Sequence, residues 1–250
     1  MSKISVVIIT FNAERVLEKV LTQAKKLTKE IVVVDSFSTD KTEAIATEFE
    51  VNFHKKEWEG YGSQKNYAND LASNNWVLSI DADEVLSNEL INEINTLNLS
   101  DENTAFNIPF KNNYCGKLIK HGRWKNEYHV RLFNRKTTSW NTNQVHEGLN
   151  LSGIKIIDLK NPIFHFSMQS KEQHIAKAKK YAEMGAKKMH KQGKKATFIK
   201  QYINPIFRFI NDYIFRLGFL DGKLGFQLAY IISKETYWKY SKLAKLNNQI

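Results

Sequence analysis

The chain contains the stretch Trp76-Val77-Leu78-Ser79-Ile80-Asp81-Ala82-Asp83-Glu84, in which an apolar run leads directly into acidic residues. The apolar run is typical of a buried β-strand, and the chain turns as it leaves the sheet. Asp81 and Asp83 can therefore converge on one hard cation, Mg²⁺ or Mn²⁺, whose open coordination positions can bind a substrate diphosphate. The alternative is a solvated turn in which Glu84 and Asn88 cap the next helix.

The residues around this stretch predict further strands that alternate with helices. The predicted strands are 4–10, 30–35, 51–54 and 76–80, and the segments with helical patterns between them are 16–27, 41–49 and 60–74. Largely apolar strands that alternate with helices predict a parallel sheet covered on both faces. Ligands of such sheets bind at the carboxyl ends of the strands, where Thr10, Asp35 and Asp81 lie.

Four motifs follow one another between residues 4 and 147. They are Val7-Ile8-Ile9-Thr10-Phe11-Asn12-Ala13-Glu14, Ile31-Val32-Val33-Val34-Asp35-Ser36 with Ser38-Thr39-Asp40, Asp81-Ala82-Asp83-Glu84, and Val145-His146-Glu147. In this order they resemble family-two glycosyltransferases. Two other stretches resemble the small bacterial transferases that build the lipopolysaccharide inner core. They are Trp58-Glu59-Gly60-Tyr61-Gly62 with Gln64-Lys65-Asn66, and Gly218-Phe219-Leu220-Asp221-Gly222.

The resemblance implies an α/β fold, a Rossmann-like nucleotide-diphospho-sugar transferase (GT-A) sheet, with a UDP-hexose as the expected donor. Thr10, Asn12 and Glu14 would border the nucleobase and ribose. Asp35 would accept a hydrogen bond from the nucleoside, and Lys65 could reach the diphosphate. The simpler interpretations are turn chemistry for Thr10 and Asn12, a strand-end cap for Asp35 and a solvated surface position for Lys65.

Glycosyl transfer breaks the bond between the anomeric carbon and a phosphate oxygen, so negative charge develops on the leaving diphosphate. The resemblance implies that Mn²⁺ or Mg²⁺ held by Asp83 stabilises this charge, with Asp81 nearby or at the ribose. His165 is a further candidate for metal or diphosphate contact, although it could be a hydrogen-bonded structural residue. Arg131 could add fixed positive charge, or it could face solvent or pair with an acid.

An acceptor hydroxyl is a poor nucleophile at neutral pH, so direct displacement with inversion needs a base. The resemblance points to Glu147 as that base. The family often has an acidic pair here, whereas this chain has His146 before the glutamate, so His146 could be a neighbour, a phosphate contact or the base itself. Processive relatives carry a Gln-x-x-Arg-Trp motif. In this chain Arg123 and Trp124 match the end of the motif, but Lys120 replaces the glutamine. We therefore expect addition of a single sugar.

The length of 250 residues predicts a catalytic domain with a C-terminal appendage. We expect the catalytic domain at 1–168, with a donor half at about 1–100 and an acceptor half at about 101–168, and a helical region at 169–250. Residues 171–200 hold ten lysines against two glutamates, about +8 of the chain's formal charge of +11. The helix predicted there has one apolar face, and Gly193 ends the helix. The residues of this face are Ile175, Ala178, Ala182, Gly185 and Met189.

From residue 198 onwards the chain is both aromatic and basic, and charged residues interrupt every apolar run before it could span a bilayer. This composition suits the surface of an anionic membrane. It equally suits a helical subdomain packed on the sheet. No signal peptide precedes the first strand, and Cys115 is a single cysteine, so we expect a cytoplasmic protein, peripheral at the inner face of the cytoplasmic membrane.

The acceptor is expected to be a glycolipid such as lipopolysaccharide inner core, or an oligosaccharide. A polyprenyl-phosphate carrier is the alternative. A basic protein that binds nucleic acid or membranes without catalysis is the main rival class, but no RNA-binding motif occurs and no nucleic acid is expected as partner. A nucleotidyltransferase would need a glycine-rich loop after the first strand, but residues 10–14 contain no glycine. A non-catalytic sugar-binding scaffold is disfavoured because the acidic residues are intact.

Overall fold

The computed structural model describes residues 3–125, 127–141 and 148–248. The chain forms two compact units, named here the sheet unit and the helical unit. The sheet unit is Met1–Lys111 with Asn126–Phe166, and the helical unit is Asn112–Lys125 with Ser167–Ile250. The domain boundary after residue 168 stays a prediction. The compact units differ from it because residues 112–125 group with the C-terminal helices.

The first half of the sheet is parallel, as predicted. Its strands are β1 (Ile4–Thr10), β2 (Ile31–Asp35), β3 (Asn52–Lys55) and β4 (Trp76–Asp81), and the helices between them are α1 (Leu17–Leu27), α2 (Thr42–Glu48) and α3 (Tyr61–Leu71). The strand order is β3-β2-β1-β4. Thr10 pairs with Asp35 and Ile9 with Asp81, so the polar residues that end these strands meet at one edge.

The second half of the sheet is mostly antiparallel. Its elements are β5 (Glu84–Leu86), α4 (Asn88–Asn95), β6 (Thr104–Tyr114), β7 (Lys117–Leu118), β8 (Glu127–Asn134), β9 (Lys155–Asp158) and β10 (Ile163–Met168). From β4 the order continues β8-β6-β10-β5. The pairing of β10 with β5 sets His165 opposite Glu84. Strands from distant parts of the chain thus surround the end of β4.

Apolar side chains cover both faces of the parallel strands. Val6 and Ile8 share a core with apolar residues that recur at helical spacing in the segment 16–27: Val16, Leu17, Val20, Leu21, Ala24 and Leu27. Val7 and Ile9 point to the other face and share a second core with Ala68 of α3. Alternate residues of one strand serve opposite faces because successive strand side chains point in opposite directions.

The helical unit contains α5 (Lys171–Lys191), α6 (Asn204–Ile210) and α7 (Gly222–Asn247). Two π-helical turns, Ile199–Ile203 and Asn211–Phe215, flank α6, and a 3₁₀ turn, Gly218–Asp221, precedes α7. Among the described residues, no helix is both long enough and apolar enough to cross a membrane.

The buried stripe of α5 differs in part from the prediction. Ala178 and Ala182 are buried as predicted, but the other buried residues are His174 and Ala186, while Ile175, Gly185 and Met189 are only partly covered. The residues of α5 that are buried where it packs against α7 include three small ones, Ala178, Ala182 and Ala186. A Cβ at Gly185 would lie 3.1 Å from the Lys239 side chain. The helix ends before Gly193, which has a positive φ of 68°.

His174 is buried beside aromatic side chains inside the helical unit. Its Nδ1 is 3.1 Å from the Tyr114 hydroxyl, which also accepts a hydrogen bond from the Gln227 amide at 3.2 Å. The Trp124 ring lies 5.2 Å from the imidazole, centroid to centroid. Burial, with a smaller contribution from the Lys177 charge, lowers the pKa of His174 to about 4. The imidazole is therefore neutral at pH 7.

This lowered pKa predicts that acid destabilises the helical unit. The unfolded chain, with a histidine pKa near the ordinary 6.5, binds more protons than the folded chain between pH 6.5 and about 4. The stability that the neutral His174 imidazole contributes is therefore fully present above pH 6.5 and decreases as the pH falls. We expect a loss of roughly 1–2 kcal/mol by about pH 4.5, allowing for partial solvent screening.

Urea denaturation of native protein, His174→Gln and His190→Gln at neutral and acidic pH would measure this loss. His174→Gln should lose part of the pH dependence of the free energy of unfolding. His190→Gln removes a histidine from the same helix and should keep it. An unchanged pH dependence in His174→Gln would assign the effect to other groups.

Candidate active site

A buried ion-pair network lies where β4, β5 and β8 meet. Arg131 of β8 donates two hydrogen bonds to Glu84, from Nε to Oε2 at 2.9 Å and from Nη2 to Oε1 at 2.7 Å. The Asp81 backbone N–H also donates to Glu84 Oε2, at 3.2 Å. Lys65 Nζ of α3 lies 3.0 Å from Asp81 Oδ1, and Arg131 Nη2 lies 3.8 Å from Asp81 Oδ2. Two cations and two carboxylates therefore form one continuous cluster.

The network shifts the pKa values of Asp81 and Arg131 in the direction that favours their charged forms. Burial alone would raise the pKa of Asp81, but the charges of Lys65 and Arg131 outweigh it and lower this pKa to about 2. Burial alone would lower the pKa of Arg131, but the Glu84 charge outweighs it and raises this pKa. Lys65 is only 2% exposed, and its Nζ lies 4.4 Å from the Trp140 ring centroid. The solvated positions considered for Lys65 and Arg131 are therefore wrong.

Asp83 and His165 form a second, more accessible pair beside this network. His165 Nε2 lies 3.4 Å from Asp83 Oδ2. The Asp83 side chain is 40% exposed and the His165 side chain 26%. Burial would lower the pKa of His165, but the hydrogen bond and charge of Asp83 outweigh it and raise this pKa. The structure thus brings together the two metal-ligand candidates that lie 82 positions apart in the sequence.

The donor set here fits a divalent cation. Carboxylate oxygens of Asp81, Asp83 and Glu84 lie within 4.8 Å of one another. Glu84 is fully engaged by Arg131, which leaves Asp83, Asp81 and the His165 imidazole as potential ligands. Oxygen donors suit both Mg²⁺ and Mn²⁺, and an imidazole nitrogen suits transition metals.

The alternative interpretation of the acidic stretch, as a cap for the next helix, is wrong. The N-cap of α4 is Ser87, whose Oγ accepts a hydrogen bond from the Leu90 backbone N–H at 3.1 Å. Glu84 is only 1% exposed and binds Arg131 instead. The short strand β5 carries it away from the start of α4.

A cleft of about 410 Å³ opens beside Asp81 in the sheet unit. This volume lies within the range of roughly 300–1,000 Å³ that small-molecule sites occupy. The residues that line it are Lys65, Asp81, Asn107, Tyr128, His129, Val130, Arg131, Trp140, Leu151 and Ile156. Sequence reasoning did not select His129, although the two-residue spacing from Arg131 along β8 puts both on one face.

The loops that follow β1 and β2 are joined by hydrogen bonds between side chains and backbone. These run from Asn12 N to Ser38 Oγ (2.8 Å), Thr39 N to Asn12 Oδ1 (2.9 Å), Glu14 N to Asp40 Oδ2 (3.1 Å) and Lys41 N to Glu14 Oε2 (3.1 Å). Asn12 has a positive φ of 49°. Asn12 and Glu14 therefore have a structural role in this pair of loops, and their contact with a nucleoside stays a prediction.

Asp35 and Thr10 lie at adjacent strand ends and are both buried. The carboxylate of Asp35 accepts hydrogen bonds from the Ser38 backbone N–H at 2.7 Å and from the Ser38 hydroxyl. This is the strand-end cap considered as the simpler interpretation. The Thr10 hydroxyl has no hydrogen-bond partner among the described residues. A role for either residue in nucleoside binding stays a prediction.

The predicted base and its neighbour, Glu147 and His146, lie outside the described residues. The nearest described positions are Asn141 and Gly148, which are joined by a hydrogen bond from Asn141 N to Gly148 O at 2.8 Å. The assignments of Glu147 and His146 therefore remain predictions.

Comparison with known proteins identifies the class to which this fold and site belong. Residues 5–168 match the family model described as glycosyl transferase family 2. The chain is 34% identical over 266 residues to an uncharacterized glycosyltransferase of Rickettsia bellii, an alignment that covers 99% of this chain and 88% of the relative. The chain therefore belongs to glycosyltransferase family 2, and the predicted GT-A fold is confirmed.

A second relative has a more specific description. The chain is 28% identical over 260 residues to the lipopolysaccharide core biosynthesis glycosyltransferase LpsC of Rhizobium meliloti, covering 98% of this chain and 95% of LpsC. Among solved structures, the chain is similar to S. aureus TarS 1–349, with 16% identity, a TM-score of 0.47, and coverage of 98% of this chain and 91% of that one.

Proposed function

We propose that this protein transfers one sugar, with inversion at the anomeric carbon, from a UDP-hexose to a hydroxyl of a glycolipid such as lipopolysaccharide inner core. The observation that carries the proposal is the pair of Asp83 and His165. This pair lies next to Asp81, and Asp81 lines the cleft. The similarity to LpsC along 98% of the chain supports the acceptor class. Since such an acceptor is held in a membrane, we place the enzyme at the inner face of the cytoplasmic membrane.

Asp83 and His165 would hold Mn²⁺ or Mg²⁺, with Asp81 beside them. When bound, the ion supplies Lewis-acid stabilisation of the leaving diphosphate. Lys65 and Arg131 keep Asp81 ionised and fix its position, so its carboxylate can bind the ion or accept a hydrogen bond from a ribose hydroxyl. Because these groups are held in place before the donor binds, little reorganisation is needed during the reaction.

The acceptor hydroxyl would lose its proton to Glu147 as its oxygen attacks the anomeric carbon. The bond between that carbon and the diphosphate oxygen breaks, and its electron pair leaves with the nucleoside diphosphate. Attack from the face opposite the leaving group inverts the anomeric configuration.

Replacing Glu147 with glutamine should lower the rate of sugar transfer by about 10²–10⁴, the contribution of a general base. Binding of UDP with Mn²⁺ should be unchanged, because the substitution leaves the donor site intact. Transfer from labelled UDP-glucose and UDP-galactose to core-truncated lipopolysaccharide, together with calorimetric titration of UDP, would measure both quantities.

Glu102→Gln is the matched control, because Glu102 is exposed and is not among the residues that line the cleft. This variant should keep full activity. Normal turnover by Glu147→Gln would exclude Glu147 as the base, and His146→Gln would then test the neighbouring imidazole. Failure of the native protein to bind UDP under any condition would contradict the proposed function itself.

A further inference from the structure

The charge of the chain is divided very unequally between its two units. The helical unit holds 21 lysines and arginines against 5 aspartates and glutamates, a formal charge of +16. The sheet unit holds 16 against 21, a formal charge of −5. Net charge of this size attracts an anionic partner and is not needed for folding. The partner of the helical unit is therefore expected to be anionic.

The helical unit also exposes an unusual number of apolar side chains. Of 23 exposed large hydrophobic residues in the described part of the chain, eleven lie between residues 198 and 220. They are Phe198, Ile199, Tyr202, Ile203, Ile206, Phe207, Ile214, Phe215, Leu217, Phe219 and Leu220, named here the apolar stripe. Soluble proteins rarely leave so dense an apolar surface exposed unless it binds something.

The π-helical turns keep much of the apolar stripe on one side of the helical segment. Its members recur at a spacing of four, at Phe198, Tyr202, Ile206 and Ile214, with the half-buried Ile210 between the last two. In a regular α-helix, a spacing of four overshoots a full turn by about 40°, so the stripe would wind around the axis. A π-turn holds more residues than an α-turn and rotates the chain back. The turns Ile199–Ile203 and Asn211–Phe215 therefore offset the drift across α6.

The opposite side of this segment faces α7. Gln201 Nε2 lies 3.2 Å from Ser241 Oγ, and the Ser233 hydroxyl donates to the Pro205 carbonyl at 2.8 Å. Asp212, on the same side, is 2% exposed. Because these residues hold the inner side against α7, most of the apolar stripe is left exposed, although the Tyr202 ring also contacts Tyr237 of α7.

Basic residues accompany the apolar stripe at regular intervals. Apolar and basic residues are adjacent in the pairs Ile199-Lys200, Phe207-Arg208 and Phe215-Arg216, which repeat every eight residues. Arg208, Arg216 and Arg123 all lie 3.6–4.0 Å from the buried Asp212 carboxylate. The three arginines share this one carboxylate, and the Glu235 charge acts on Arg208 and Arg123, so the group keeps a net positive charge beside the stripe.

We propose that residues 198–220 are the surface with which this protein binds an anionic phospholipid bilayer. The apolar stripe would enter the boundary between headgroups and acyl chains, and the arginines and lysines would contact lipid phosphates. Nucleic acid would satisfy the charge but would leave the isoleucines and leucines exposed to water. A second copy of the chain would bring two units of charge +16 together. The proposal specifies the membrane contact of the proposed function, but it requires no sugar transfer.

Cosedimentation of the full chain with vesicles, without donor or acceptor, tests this surface. Binding should be strong to vesicles of phosphatidylcholine mixed with phosphatidylglycerol and weak to pure phosphatidylcholine. It should weaken as salt rises from about 0.1 M to about 1 M, where the screening length falls from about 10 Å to about 3 Å. Phe207→Ser with Phe215→Ser should weaken binding at least tenfold and leave the melting temperature unchanged, because both side chains are more than 60% exposed.

Met184→Ser is the matched control, since Met184 is 45% exposed on α5 and lies outside the stripe. This variant should bind as the native chain does. Equal binding by the double variant, or no binding of the native chain to anionic vesicles, would overturn the proposal. Binding of homopolymeric RNA but not vesicles would assign the surface to nucleic acid. A native dimer that the double variant abolishes would assign it to a second copy. UDP binding is independent of each of these outcomes.

Discussion

Replacing Arg131 with methionine is expected to lower the free energy of unfolding by about 3–5 kcal/mol, the usual effect of breaking a buried ion pair. The arginine makes two short hydrogen bonds to Glu84, which is 1% exposed. Without Arg131, the Glu84 carboxylate would be a buried charge that, among the described residues, keeps one hydrogen bond, from the Asp81 backbone N–H, and the more distant charge of Lys65. Urea denaturation at neutral pH would measure the change.

Two further variants separate the ion pair from a general effect of losing an arginine. Adding Glu84→Gln to the Arg131 variant removes the unpaired charge and should recover a large part of the lost stability. Arg135→Met is the matched control, because Arg135 follows the same strand and donates to the carbonyls of Asn74 and Asn69, not to a carboxylate. A native-like stability of the single Arg131 variant would show that the pair contributes little.

Replacing Asp83 with asparagine is expected to lower kcat/KM for sugar transfer by at least about 10³, because a bound metal ion stabilises the leaving group by several kcal/mol. The fold should be unaffected, since the Asp83 side chain is 40% exposed and lies outside the Arg131 network. Calorimetric titration should show UDP binding that needs Mn²⁺, disappears with EDTA and is lost in the variant. GDP serves as the control nucleotide.

Asp70→Asn is the matched control for this substitution. Asp70 is exposed on α3, so the same change of charge is made in the same unit without touching the cleft. It should bind UDP and Mn²⁺ as the native chain does. Metal-dependent UDP binding by Asp83→Asn at native affinity would rule out Asp83 as a ligand, whatever the outcome of the vesicle experiment.

The parallel half of the sheet could be predicted because its signals are local. The bounds of β1 agree with the prediction, and the residues of α1 that face the core are those with helical spacing. The position of Asp81 at a strand end also followed from the apolar run before it. Such features depend on periodicity within a few residues, which a single sequence contains.

The interior of the site could not be predicted, because it depends on residues far apart in the chain. Lys65 lies among polar residues of a helix, a context typical of a solvated lysine, and only the fold reveals that Asp81 and Trp140 cover it. Glu84 and Arg131 are 47 positions apart, so neither shows its partner in sequence. Charged residues are buried when such partners exist, and a partner is a property of topology.

The helical unit could be predicted only in part. Lysine-rich sequence and apolar spacing predicted α5, but its spacing alone could not distinguish Ile175 from His174 as the inward residue, since the contacts of His174 with Tyr114 and Trp124 decide it. The spacing of four between Phe198 and Ile214 was visible in the sequence. It lies above the α-helical period of 3.6 and is the signal from which the π-turns could have been inferred.

The hydrogen bonds between the loops after β1 and β2 have a thermodynamic consequence for any ligand of that edge. Fixing one free backbone residue costs roughly 1–2 kcal/mol of conformational entropy. The side chains of Asn12 and Glu14 already hold the backbone of Thr39 and Lys41 in the folded chain. This ordering therefore occurs during folding and not during binding. A nucleotide that binds there would lose mainly its own freedom, which favours tight binding from a small contact area.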